Sequence, residues 1–136
     1  MTMRTIAAAV GIVAVVAAIA LGLYAVGSPA DERARQLDQR RVRALKGLAA
    51  SIDEYWNTRG RLPESLAELT RDPRTPAETK DPVSGNEYRY RTMTERAYEL
   101  CADFVQQSTV TADAPIIWVH PAGKHCFALE VHDRRR

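Results

Sequence analysis

Between Arg4 and Asp31 the chain carries no ionisable side chain except the phenol of Tyr24. Ile6 to Val26 is a run of Ala, Val, Ile, Leu and Gly broken only by that tyrosine. At about 1.5 Å rise per residue, roughly 20 apolar residues cross a bilayer core of about 30 Å. In lipid each backbone N–H and C=O must be satisfied within the segment, so the run is expected to be a helix. Tyr24 falls where an interfacial aromatic belongs. Three readings compete. One is a permanent signal anchor over residues 5–27, after a tail of residues 1–4. Another is a secretory signal cleaved after Ala30, since Ser28-Pro29-Ala30 has small residues where a signal peptidase inspects. A signal-peptide apolar region is usually about 7–15 residues, shorter than this run, so the anchor is preferred. The third, a buried helix of a soluble fold, would need a larger body around it than this chain offers.

Orientation draws on two opposed features. The positive-inside count sets Arg4 against Arg33, Arg35, Arg40, Arg41, Arg43 and Lys46, and alone it places the C-terminal part in the cytoplasm. The two cysteines, spaced like a staple, argue for an oxidising compartment. The expectation adopted is a single-pass protein of the inner (cytoplasmic) membrane with its C-terminal domain extracytoplasmic.

The net charge of +2 is nearly balanced. The basic stretches at Arg33–Lys46 and Arg134–Arg136 are not interleaved with aromatics, so no nucleic-acid partner is expected. The expected partners are the lipid bilayer, through the N-terminal helix, and other envelope or secretion proteins.

After the span, Ser28 and Pro29 suit a helix start, and Asp31 and Glu32 suit its first turn. The helix is expected to run to about Arg59 and to stop at Gly60. Ala44, Leu45, Leu48, Ala49, Ile52, Tyr55 and Trp56 fall on one face at a period of 3.6. Before Ala44 only Leu37 and Val42 are large aliphatics. Residues 28–43 therefore read as an exposed helical stalk, and 44–136 as the head. Pro63 suits the first turn of a short helix with Leu62, Leu66 and Leu69 on one face. Residues 70–80 read as a loop and Asp81–Asn86 as a tight turn.

Beyond Asn86 the period changes to 2. Tyr88 and Tyr90, then Tyr98, Leu100 and Ala102, alternate with polar neighbours, which is a hairpin. Ile116–Val119 is expected as a third strand and Phe127–Val131 as a fourth, with Pro121–Lys124 turning between them. The fold class is α+β: a transmembrane helix, then a long amphipathic helix packed on an antiparallel sheet of about four strands.

This order of features resembles the type IV pilins and type II secretion pseudopilins. The likeness spans most of the chain. It rests on Tyr55-Trp56 at the helix end, Gly60-Arg61-Leu62-Pro63, Asp81-Pro82…Gly85…Tyr88-x-Tyr90, and Trp118…His120…Gly123…Cys126-Phe127 in the later part. It implies a pilin-like head with a structural or interaction role in the envelope or in a secretion or pilus-related system. The apolar run holds neither the Phe nor the Glu of a prepilin, so the head is expected on an ordinary signal anchor. The alternative is a small binding protein of the periplasm or exterior, released by signal peptidase.

Candidate chemistry is sparse. His120, His125, Cys126 and His132 cluster near the C-terminus, but His-x4-His-Cys fits no zinc pattern. Neighbours on a strand point to opposite faces, so His125 is poorly placed to activate Cys126. The oxygen-bearing loop with Asp72, Glu78, Asp81, Ser84 and Asn86 lacks EF-hand spacing. No enzymatic activity, metal or cofactor is expected. Cys101 and Cys126 are the only cysteines, so only one intramolecular pairing is possible, and a disulfide between them is expected because both fall on strands of one meander. The alternative is a pair of free thiols in a cytoplasmic domain.

Overall fold

The computed structural model of the protein describes residues 2–26, 28–71, 77–109 and 116–133. The chain divides into two compact units, Met1–Arg33 and Ala34–Arg136. In the first unit, helix α1 spans Met3–Val26 and is long and apolar enough to cross a membrane. Its large side chains are exposed, from Ile6 at 51% to Tyr24 at 88%. A helix that is apolar on all sides is one whose side chains a bilayer core can accommodate.

Helix α2 spans Pro29–Arg59. Its start follows the local chemistry: Ser28 Oγ accepts the Ala30 N–H, and Asp31 and Glu32 occupy the first turn. Its end follows too, because Gly60 takes φ 72° and donates its N–H to the Trp56 carbonyl. Within the second unit, the buried face of α2 is Asp38, Arg41, Leu45, Leu48, Ile52 and Tyr55, with Ser51 beside it. That is a strict three-four spacing, one stripe on one side of the helix. The stripe was expected to start near Ala44. It starts at Asp38, inside the stretch read as exposed stalk, because its first two members are charged.

The short helix α3, Leu66–Arg71, begins three residues later than Pro63 suggested. Pro63 lies ahead of it, fully buried, and the apolar side chains of Leu62, Leu66 and Leu69 still converge on the core. Strands β1 (Arg89–Thr92), β2 (Ala97–Phe104) and β3 (Gly123–Glu130) form an antiparallel sheet in the order β1-β2-β3. The first hairpin closes where Met93 and Thr94 both donate to the Ala97 carbonyl. Tyr98, Leu100, Ala102 and Phe104 of β2 face inward, and Phe127 and Leu129 of β3 join them in one core with Leu45, Leu48 and Ile52.

The third strand, expected at Ile116–Val119, is a correction. Ile116–Trp118 forms one turn of 3-10 helix, closed by the Val119 N–H on the Ile116 carbonyl. A four-residue apolar run has no periodicity to separate strand from turn. Pro115 and Pro121 bracket it in sequence, and Ile116 and Ile117 stay 85% and 51% exposed. The sheet therefore has three strands among the described residues. Asp72 of the oxygen-bearing loop lies outside them.

Candidate functional site

The most unusual chemistry in the head is a buried charge cluster. Arg41 Nη1 donates to Asp38 Oδ1 and Arg41 Nε donates to Asp81 Oδ2, each at 2.8 Å. All three side chains are less than 10% exposed. Asp38 and Arg41 share a face because they stand three residues apart on α2. Asp81 comes from the tight turn that Pro82 and Gly85 (φ 71°) make possible. Its other oxygen accepts the N–H groups of Val83 and Ser84, at 2.7 and 3.3 Å. The Asp38 carboxylate meanwhile takes the N–H groups of Val105 and Gln106, just past the end of β2. The cluster thus ties α2, the 81–86 turn and the end of β2 together. Burial pushes the Asp81 carboxyl up, but the Arg41 hydrogen bond and the Val83 amide outweigh it and hold it below its ordinary value. Burial likewise works against the Arg41 charge, and its two carboxylate partners raise its pKa nonetheless. With Arg41 bound to both carboxylates and each carboxylate also taking backbone amides, the cluster forms a latch between three segments.

The bridge between Cys101 and Cys126 is present, with Cα atoms 4.0 Å apart. The two residues are directly opposite in the β2–β3 register. Both point to the outer face of the sheet, away from the core, since Leu100 and Phe127 point inward. Arg91 and Glu99 pair on the same outer face at 2.8 Å. The bridge closes a loop with a sequence separation of 25. On the chain-entropy account, removing it with a Cys101→Ser/Cys126→Ser pair is expected to cost about 3 kcal/mol. Denaturant unfolding of that variant against the unchanged protein measures the loss. Non-reducing mass mapping after alkylation is expected to recover neither cysteine modified, and two alkylated cysteines would contradict the bridge.

The histidines do not converge. His120 is buried and stacks on Phe104, ring centroids 3.6 Å apart, with Nδ1 3.1 Å from the Pro121 carbonyl oxygen. His125 meets the Phe127 ring edge-on at 4.8 Å. His132 is exposed beside Asp53. Among the described residues, the one grouping with metal-ligand proximity is Glu99, Cys101 and Cys126. Its two sulfurs are bonded to each other, which leaves one carboxylate and no metal site. The loop oxygens fare no better, because Arg41 and backbone amides saturate Asp81.

A shallow crevice of about 470 Å³ lies between α2 and the chain on either side of the 3-10 turn. Arg35, Arg43 and Lys46 line one wall, and Trp118 faces Lys46, whose Nζ lies 5.8 Å from the ring centroid. Sequence reasoning did not find it, because its walls come from segments about 70 residues apart (Lys46 and Trp118).

Tyr55, Tyr88, Tyr90 and Tyr98 are core and sheet-face residues. Burial pushes the hydroxyls of Tyr88 and Tyr98 far up and that of Tyr90 up to about 12. The unfolded chain therefore ionises first. This stability is fully present below about pH 10 and is lost as pH rises, by about 1.4 kcal/mol per pH unit per tyrosine. The denaturant midpoint is expected to fall steeply between about pH 10 and 12. A flat midpoint over that window would contradict the burial.

The chain matches no protein-family model, no curated protein and no solved structure.

Proposed function

We propose that this is a non-enzymatic, membrane-anchored protein whose pilin-like head acts as a structural or interaction module outside the cytoplasm. The observation that carries the reading is the pairing of α1, an apolar helix of bilayer length, with a small α+β head stapled by a disulfide. A disulfide persists in an oxidising compartment, which favours the extracytoplasmic side over the positive-inside count. The order of a long helix, an Asp-Pro turn and an antiparallel hairpin supports the pilin-like likeness. The buried polar groups Asp38, Arg41 and Asp81 are engaged in the latch, and the buried His120 is engaged in aromatic packing.

The test is a pair of topology reporters fused after Arg136, one active only outside the cytoplasm and one active only inside. Activity of the outside reporter in the membrane fraction supports the reading. Activity of the inside reporter would overturn it. The mature amino terminus, read by mass spectrometry, separates the anchor from release: a terminus at Met1 or Thr2 supports anchoring, and one at Asp31 supports a released protein.

A further inference from the structure

Helix α2 carries a basic ridge. Arg35, Gln39, Arg43 and Lys46 stand three or four residues apart, so their side chains share one side of the helix, with Val42 beside them. The three cations are exposed, and among the described residues none of them makes an ion pair. Like charges at this spacing weaken a helix, and no acidic side chain of the ridge offsets them. Asp38, the one carboxylate among the described residues lining the crevice, is already bound to Arg41 and to the N–H groups of Val105 and Gln106. The facing wall is held in place. Ser108 donates its N–H to the His120 carbonyl and accepts the His120 N–H on its hydroxyl, each at 2.9 Å, which pins the two segments of that wall to each other. Trp118 packs against Phe127, ring centroids 5.0 Å apart, so the indole that faces Lys46 is supported from the core. The crevice lies wholly within the second unit.

From this geometry we infer that the crevice is a binding site for a phosphate monoester on a small organic carrier. Charge complementarity selects an anion, since one wall offers two guanidiniums and an ammonium with no carboxylate paired to them. Guanidinium forks match carboxylate and phosphate oxygens in paired hydrogen bonds. Three cations around one crevice suit the three free oxygens of a phosphate monoester better than the two of a carboxylate. The crevice, at about 470 Å³, falls in the range of small-molecule sites, about 300–1,000 Å³, and is more than a bare phosphate fills. Trp118 and Val42 supply apolar surface for the rest of the ligand, and Gln107 and Thr109 supply neutral hydrogen-bonding groups. The phosphate therefore sits at Arg35, Arg43 and Lys46, and an apolar or planar portion lies against Trp118. A phosphomonoester lipid headgroup and a soluble phosphate ester share this chemistry. The inference goes beyond the structural or interaction role proposed above. It concerns the head alone and does not depend on which side of a membrane the head occupies.

The test uses the full-length protein in nonionic detergent micelles and reads the indole N–H signals by NMR. The chain has two tryptophans, so Trp56 is an internal control for Trp118. Phenyl phosphate, a phosphate on a planar ring, is expected to shift the Trp118 signal saturably and to leave the Trp56 signal in place. It should bind at least about tenfold more tightly than inorganic phosphate or benzoate, the ratio that 1.4 kcal/mol gives. Arg43→Gln/Lys46→Gln should weaken phenyl phosphate binding by at least about tenfold. Arg40→Gln/Arg89→Gln removes two charges from outside the crevice, where salt screens them, and should change binding by less than about twofold. All four of these side chains are exposed, and the amide spectrum verifies that each variant folds. The probe comparisons use the unchanged protein and stand whether or not the variants fold. Dihexanoyl phosphatidic acid, with dihexanoyl phosphatidylcholine as its control, separates the sources. If the phosphatidic acid binds more tightly than phenyl phosphate, the ligand is a lipid headgroup; if phenyl phosphate binds more tightly, it is a soluble ester. Equal losses in the two variant pairs, equal shifts of both indoles, or no saturable shift with any phosphate probe would overturn the site. Benzoate binding as tightly as phenyl phosphate would overturn the assignment to phosphate.

Discussion

Replacing Arg41 with Met is expected to destabilise the head by about 3–5 kcal/mol, the range for removing one partner of a buried ion cluster. Met keeps most of the aliphatic stem and deletes the guanidinium. Asp38 and Asp81 would then be buried carboxylates facing each other across the vacated position, both under 10% exposed. Each keeps its backbone amides, but neither keeps a counter-charge. The triple variant Arg41→Met/Asp38→Asn/Asp81→Asn should lose less than half as much. The amide oxygens still accept the same N–H groups, and no charge is left to desolvate. Chemical unfolding of the full-length protein in micelles measures both. The loss in the single variant should also shrink as pH falls, because an Asp81 left buried without its counter-charge takes up a proton more readily than it does in the unfolded chain. For the unchanged protein the sign is the reverse: Asp81 is held below its ordinary pKa, so its stabilisation is present above about pH 4 and fades as pH falls through its folded value. A single variant as stable as the unchanged protein would mean the latch contributes no net stability.

Ile52→Ala is expected to lose about 2–5 kcal/mol, the range for a large-to-small change in a packed core. Ile52 is completely buried, in the cluster that includes Leu48, Tyr98, Leu100 and Phe127. Its position on α2 faces the sheet, so the cavity would open where no loop can collapse to fill it. Leu37→Ala, on the partly exposed flank of the same helix, should lose less than about 1 kcal/mol. Equal losses at the two sites would mean that the packed face of α2 is placed wrongly.

How far the chain could be read from its residues depended on the kind of signal each part carries. The apolar run of α1, the stripe from Leu45 to Tyr55 and the hairpin from Arg89 to Phe104 are periodic in apolar residues. Periodicity is a local property that needs no knowledge of partners. Asp38 and Arg41 lie on the same stripe but are charged, so a search for apolar periodicity begins the face about two turns too late. Their partner Asp81 is 40 positions from Arg41, and nothing local announces the pairing. The disulfide was legible because two cysteines permit one bridge. The 3-10 turn at Ile116–Trp118 was not, since a short apolar run suits a strand and a turn equally well. The start of β3 at Gly123 was read as a turn because glycine and proline mark one; its φ of 88° makes the corner, and the strand begins on that same residue.

The disulfide also bears on how the head would respond to mechanical load. A pull applied to the chain beyond Cys126 passes across the bridge to Cys101 rather than around the loop between them. With a separation of 25 residues, roughly 80–90 Å of extended chain is hidden from the force. β1 and the helices can still be drawn out, but the β2–β3 portion enclosed by the bridge cannot lengthen while the bond is intact. Stretched from its C-terminus, the oxidised head should extend less than the reduced one by about that length, so the redox state of one bond sets how much slack the tether can release.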